Sequence, residues 1–104
     1  IIEYIKSKNP EELSLIAMGV GGRKSAEEDI FCARYIKNHL EGKPNNFPEM
    51  VEKIKKGSGS RFFDREKSWS PRPDFDLCLD INKFDFVIRA QIEEEPVLFP
   101  VDNF

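Results

Sequence analysis

The sequence predicts an α/β fold, and three observations support this prediction. Residues 13–18 form a short, nearly unbroken apolar run, which is typical of a central strand buried on both faces. A glycine-rich turn at residues 19–24 leads from this run into a helical pattern. Two alternating segments, residues 84–92 and 97–101, predict a terminal antiparallel hairpin.

The chain opens on a helical pattern that has neither a start methionine nor a signal-peptide pattern. Isoleucines at positions 1, 2 and 5 share one helical face, and Asn9-Pro10 ends the helix. Residues 1–8 therefore read as the last turns of a helix that has lost its cap. We expect residues 1–104 to be the C-terminal portion of a longer protein whose N-terminal half is absent.

Four further elements follow from local patterns. Ser25 and Glu28 have the S-x-x-E spacing of a capping box, which predicts a helix from Ser25 to about residue 40. A third helix is predicted between Asn46 and Gly57, and short helical segments at residues 61–64 and 73–79. In the strand at residues 84–92, the even-numbered side chains form the predicted buried face.

Composition excludes several classes of protein. Hydrophobic residues make up 39% and charged residues 34%, a globular balance, and 104 residues suffice for one domain or part of one. The net charge is -3 with basic residues spread along the chain, which argues against nucleic acid as a partner. No apolar run approaches the roughly 20 residues that span a bilayer. Cys32 and Cys78 lie in apolar settings and are predicted to be buried free thiols of a cytoplasmic protein rather than a disulfide.

The glycine turn is the strongest candidate for a binding site. Gly21 and Gly22 would let the backbone approach an anion at a helix start, where N–H groups and the dipole favour negative charge. Arg23 and Lys24 add side-chain charge, and Ser25 closes the candidate set. The spacing of a nucleotide-binding P-loop and that of the dinucleotide fingerprint both fail. An ordinary strand-to-helix turn remains the alternative.

Asp29 is the candidate catalytic residue. It heads a helical stripe that continues through Cys32 and Ile36, so its carboxylate is expected to face a cleft. A carboxylate there suits a divalent metal or a base that orients water, and Glu28 is the candidate second ligand. The alternative is a first-turn acid that complements the helix dipole.

Two other acidic or titratable features carry less weight. Asp74-Phe75-Asp76 resembles the D-x-D motif of aspartyl-phosphate phosphatases, but prolines rather than a hydrophobic strand precede it. Capping and Asx turns are the preferred interpretation of these acids. His39 is the single histidine, and packing or dipole compensation is its preferred role.

Two stretches of the sequence resemble the 2-phosphosulfolactate phosphatase family. Residues 16–19 with the glycine turn and residues 28–33 match the family's strand, turn and E-D-x-x-C-A helix opening. Residues 63–69, 74–80 and 83–87 look like its closing segment, so the resemblance covers residues 13 to about 90.

The resemblance implies a three-layer α/β/α fold and a magnesium-dependent phosphoric monoester hydrolase. Its implied reaction converts 2-phosphosulfolactate to sulfolactate and phosphate, as in coenzyme M biosynthesis. The expected partners are a small anionic phosphorylated substrate and the missing N-terminal half, with homo-oligomerisation left open. Neither nucleic acid nor membrane is expected. A non-catalytic module that binds a small anion is the alternative function, and a purely structural α/β piece is the third.

Overall fold

Helices account for most of the regular structure. The computed structural model describes residues 1–104 and contains five helices and one two-stranded antiparallel sheet. The elements in chain order are α1 (Ile2–Lys8), α2 (Glu27–Leu40), α3 (Phe47–Lys56), a 3₁₀ helix (Ser58–Phe63), α4 (Arg72–Cys78), β1 (Val87–Ile92) and β2 (Pro96–Val101). The chain is therefore a small mixed α/β protein, as the coarse fold class predicts.

The residues fall into two compact units. One contains residues 1–13 and 82–104, with α1 and the hairpin, and the other contains residues 14–81, with α2, α3, α4 and the 3₁₀ helix. None of the helices has both the length and the apolar character that crossing a membrane requires.

Local end signals set the limits of α1 and α3. The predicted end of α1 at Asn9 and the predicted helix between Asn46 and Gly57 are both confirmed. Asn9 adopts a left-handed conformation with φ of 44°, and its N–H donates to the Ile5 carbonyl at 3.0 Å. The Asn46 side chain caps α3 by accepting from the Glu49 N–H at 3.3 Å. Gly57 follows the last turn of α3.

The core of the helical unit lies where α3, the 3₁₀ helix and α4 meet. Ile54 and Phe75 are buried, and the Phe75 ring contacts the Phe63 ring edge-on with 5.0 Å between centroids. Gly59 has no room for a side chain, because a Cβ there would lie 2.7 Å from the Ile54 carbonyl oxygen and 2.9 Å from the Phe75 ring. This contact fixes the 3₁₀ helix against α3.

The predicted buried strand at residues 13–18 does not form. This segment belongs to no helix or strand, and the side chains of Ile16 and Met18 are 76% and 68% exposed. The apolar run satisfies one requirement of a buried strand, but a strand also needs a neighbour for its N–H and C=O groups. No other strand pairs with it in this structure.

The hairpin forms as predicted, but its buried face does not. β1 pairs with β2 from Val87–Val101 to Ile92–Pro96, and only Val87 is buried. Ile88 and Ile92, on the face predicted to be buried, are 65% and 84% exposed. Alternation predicts only that the two faces of a strand differ in polarity. Burial of the even face also needs another layer packed on that face, which the pattern does not specify.

Candidate functional site

The glycine turn forms a tight loop in front of α2. Val20 and Lys24 form an isolated antiparallel bridge, in which the Val20 N–H donates to the Lys24 carbonyl at 2.8 Å. Gly19, Gly21 and Gly22 all have positive φ, between 59° and 72°, a region that other residues rarely adopt. The glycines thus allow the chain to reverse sharply just before the helix.

The side chain of Asp29 connects this loop to α2 by a hydrogen bond. Its Oδ2 accepts a hydrogen bond from the Gly19 N–H at 2.7 Å, and its Oδ1 accepts none. Asp29 is half-buried and lines a cavity of about 210 Å³ together with Ile16 and Met18. The Asp29 carboxylate therefore faces the chain segment before the loop, with one oxygen available to a ligand.

The candidate binding residues of the loop are all exposed: Gly21, Gly22, Arg23, Lys24 and Ser25. The side chains of Arg23 and Lys24 form no salt bridge or hydrogen bond with the rest of the chain. Their backbone N–H groups, however, both donate to the Val20 carbonyl, at 3.1 and 3.3 Å. The loop consequently offers an anion two cationic side chains. The backbone N–H groups of residues 23 and 24, in contrast, are already bonded within the turn.

The predicted capping box is wrong. α2 begins at Glu27 after the extended residue Ala26, and no side chain caps it. Ser25 is too early in the chain to reach the cap position, because the loop turns through the Val20–Lys24 bridge and the chain stays extended at Ala26 before the helix starts. Glu28 is consequently in the first turn, with its side chain directed elsewhere.

Glu28 binds a residue that sequence reasoning missed. The Ser58 hydroxyl donates a short hydrogen bond to Glu28 Oε2, and Arg61 of the same 3₁₀ helix donates through Nη1 to the Ser58 carbonyl at 2.7 Å. Burial raises the pKa of the Glu28 carboxyl, but the Ser58 hydroxyl, the residue's own N–H and the Arg61 charge together outweigh burial, so the pKa lies below its ordinary value. Glu28 is therefore held ionised within the first turn of α2.

Only one sequence signal pointed to Ser58. It lies between Gly57 and Gly59, and glycine is a residue that allows the backbone to approach a neighbouring group closely. That approach is real, because a Cβ on Gly57 would collide with the Glu27 carboxylate. Ser58 and Glu28 are 30 residues apart, so no local spacing rule could have paired them.

Glu28 and Asp29 are the two carboxylates to be considered as magnesium ligands. Glu28 and Asp29 both line a cavity of about 260 Å³, and each carboxylate keeps one oxygen without a hydrogen-bond partner. Magnesium in proteins is bound through one or two carboxylates, with waters and substrate phosphate oxygens completing its shell. The structure brings no three His, Cys, Asp or Glu side chains together as a metal-ligating group.

The remaining candidates lie outside this cluster. Cys32 and Cys78 are free thiols, but the prediction that they are buried is wrong. Both are exposed because they line the same open cavity as Glu28 and Asp29 rather than a packed core. His39 is exposed, and Asp76 forms a salt bridge with Arg72 at 2.8 Å.

Ser58→Ala tests the electrostatic role of the Glu28 contact. Because the folded-state pKa of Glu28 is lowered, its charge contributes stability above the unfolded pKa of about 4.3, and this contribution is lost as pH falls through the folded pKa. We expect Ser58→Ala to lower the free energy of unfolding by about 1 kcal/mol near neutral pH, and by less under acid conditions.

Urea unfolding at neutral pH and below the pKa of Glu28 measures both values. Ser60→Ala is the matched control, since the Ser60 hydroxyl belongs to the same 3₁₀ helix, is exposed and makes no side-chain hydrogen bond. An equal loss at both pH values would contradict a role for the Glu28 charge.

Comparison of the chain with protein-family models, with curated proteins and with solved structures finds no match.

Proposed function

We propose that this chain belongs to a magnesium-dependent phosphatase that hydrolyses a phosphate monoester of a small sulfonated hydroxy acid, such as 2-phosphosulfolactate. The observation that carries the proposal is the Asp29 carboxylate, which is tied to the Gly19 amide by one oxygen and keeps the other open. It stands beside an exposed loop whose two cationic side chains have no internal partner. The resemblance of residues 28–33 to the family's helix opening supplies the reaction class.

Each residue has a distinct task in this proposal. Asp29 and Glu28 would hold magnesium. When bound, magnesium would neutralise phosphate charge and lower the pKa of a coordinated water. Arg23 and Lys24 bind the phosphate oxygens, and Gly21, Gly22 and Ser25 let the substrate approach the backbone. Gly19 positions the Asp29 carboxylate through its N–H, and Ser58 positions that of Glu28.

Charge favours a metal over a bare anion at this helix start. The first turn of α2 carries three acids, Glu27, Glu28 and Asp29. These carboxylates already complement the helix dipole and repel a second anion. A divalent cation between the carboxylates and the phosphate would turn this repulsion into attraction, so phosphate binding is expected to require magnesium.

The alternative function is a module that binds a small anion without hydrolysing it. The two unpaired cations, Arg23 and Lys24, support it, because an exposed cationic pair can attract phosphate or sulfonate without a metal. Magnesium-independent binding without turnover would single out this alternative.

The three-layer α/β/α arrangement is part of the same proposal. Residues 13–18 expose apolar side chains along an extended segment, with Ile16 at 76% and Met18 at 68% exposure. Contiguous apolar exposure of this kind marks a surface that a partner covers. We propose that strands of an N-terminal half pair with this segment and complete a sheet between helical layers.

Kinetics of two loop variants test the assigned phosphate contacts. Arg23→Gln and Lys24→Gln remove one charge each, and we expect each to raise the KM for the phosphorylated substrate about tenfold, the effect of losing about 1.4 kcal/mol of binding. Lys56→Gln is the matched control, because Lys56 is an exposed lysine that forms no salt bridge. If the two loop variants behave like Lys56→Gln, the loop does not bind the phosphate.

A further inference from the structure

A cavity of about 370 Å³ lies between the end of the 3₁₀ helix and the start of α4. Its lining residues all come from positions 62–72, so one continuous stretch of chain builds it. Phe62, Phe63 and Pro71 provide an apolar wall, while arginine and serine side chains provide a polar one. The cavity takes no part in the phosphatase proposal.

Ser70 is a nearly buried residue that lines this cavity. The residue is only 5% exposed, and its backbone N–H donates to the Lys67 carbonyl at 3.0 Å. Its hydroxyl forms no hydrogen bond with any other residue. Every fully enclosed side-chain oxygen of the chain has a hydrogen-bond partner. Since the Ser70 hydroxyl has none, it must be open to solvent, and the space that Ser70 lines is this cavity. A ligand that enters the cavity can therefore exchange a hydrogen bond with this hydroxyl without displacing a bond inside the chain.

Positively charged side chains outnumber acidic ones in the lining of the cavity. The one acid in the lining, Asp64, is already satisfied, because Oδ1 accepts from the Glu66 N–H at 3.0 Å and Oδ2 lies 3.8 Å from the Lys67 ammonium. Arg65 has no ion pair or side-chain hydrogen bond. The cavity therefore presents uncompensated positive charge beside a free hydroxyl.

Arg72 adds a second, better fixed guanidinium. Its Cζ lies 4.3 Å from the Phe63 ring centroid, and its Nη1 donates to Asp76 Oδ2 at 2.8 Å. A guanidinium carries five N–H donors in a fixed plane, so most of the donors of Arg72 remain available after this one contact. Stacking on Phe63 reduces the freedom that Arg72 would lose on binding a ligand.

We propose that this cavity binds a small organic oxyanion, a phosphate or sulfonate attached to an apolar body. Ser70, Arg65 and Arg72 hold the anionic head, and the apolar body rests against Phe62, Phe63 and Pro71. Serine donates through its hydroxyl and arginine through two N–H groups, which matches the several acceptor oxygens of a tetrahedral head. The site stands apart from the glycine loop and binds without magnesium, because no carboxylate in its lining is left to hold a metal.

The fluorescence of Trp69 can report binding in this cavity. It is the single tryptophan of the chain, it is 73% exposed, and it lies between Ser68 and Ser70, both of which line the cavity. The experiment titrates residues 1–104 with inorganic phosphate, methanesulfonate and phenyl phosphate in the presence of EDTA, at constant ionic strength. Chloride is the reference anion. We expect a saturable change in Trp69 fluorescence with all three probes, tightest with phenyl phosphate because of its ring.

Variants locate the binding. Arg65→Gln and Ser70→Ala should each raise the Kd about tenfold, and Arg65 is exposed, so its replacement leaves the fold intact. Arg34→Gln, at an exposed arginine of α2 that also stacks on a ring, should leave the Kd unchanged. The same fluorescence change with chloride as with the three probes, or a Kd that neither Arg65→Gln nor Ser70→Ala alters, overturns the proposal. Arg23→Gln should have no effect here, which separates this site from the phosphatase proposal.

Discussion

Replacing Asp29 by Asn is expected to lower the rate of magnesium-dependent phosphate release by about 100-fold or more, the usual scale for losing a group that acts directly on the reaction. Asn keeps a side-chain oxygen that can accept the Gly19 hydrogen bond now made by Oδ2 at 2.7 Å. It removes the negative charge and hence the attraction for a divalent cation. The loop therefore stays in place while the chemistry is lost.

Asp29→Ala serves as the comparison, because it removes both the charge and the hydrogen bond. We expect Asp29→Ala to lower the free energy of unfolding by about 1 to 3 kcal/mol, and Asp29→Asn to lower it much less. Turnover and urea unfolding of both variants give the two quantities separately. Normal turnover in Asp29→Asn would show that Asp29 is only a structural acid of the first helical turn.

Replacing Gly19 by Ala is expected to have the largest effect on stability. Gly19 has a φ of +72°, which is strained for any side chain, and its Cβ would collide with the Lys24 carbonyl oxygen inside the Val20–Lys24 bridge. Strain of about 1 to 2 kcal/mol and overpacking of about 1 to 3 kcal/mol act together. The loop has to open, which also removes the hydrogen bond between Gly19 and Asp29.

Gly42→Ala separates the two causes. Gly42 has a φ of +71°, nearly that of Gly19, but a Cβ there meets nothing within 4 Å. It should therefore cost only the backbone strain, about 1 to 2 kcal/mol. Thermal unfolding of both variants gives the difference. If Gly19→Ala is no more destabilising than Gly42→Ala, the tight loop does not exist as described.

The parts of the fold that the sequence predicts correctly are those with local causes. Asn46 caps α3 with its own side chain, and Asn9-Pro10 ends α1, so short stretches of sequence contain the whole explanation. The hairpin forms because its two alternating segments are close in sequence and pair with each other. Residues 13–18 have an equally clear pattern, but a strand needs a partner that the pattern does not name.

In the candidate site, too, features with local causes were predicted and contacts between distant segments were not. The glycine turn and the Asp29 stripe could be read from spacing, because both lie within one turn and one helix. The contact between Glu28 and Ser58 depends on how α2 packs near the 3₁₀ helix, and no pattern in either segment specifies it. The capping box failed because the loop places Ala26, not Ser25, at the cap position of α2, while the Glu28 side chain bonds to Ser58.

Phosphorus NMR of the protein with 2-phosphosulfolactate tests the central claim most directly, because it follows the substrate and inorganic phosphate in one sample. We expect inorganic phosphate to accumulate in the presence of magnesium, and accumulation to stop when EDTA removes the metal. Substrate that remains intact with magnesium present would contradict the phosphatase proposal.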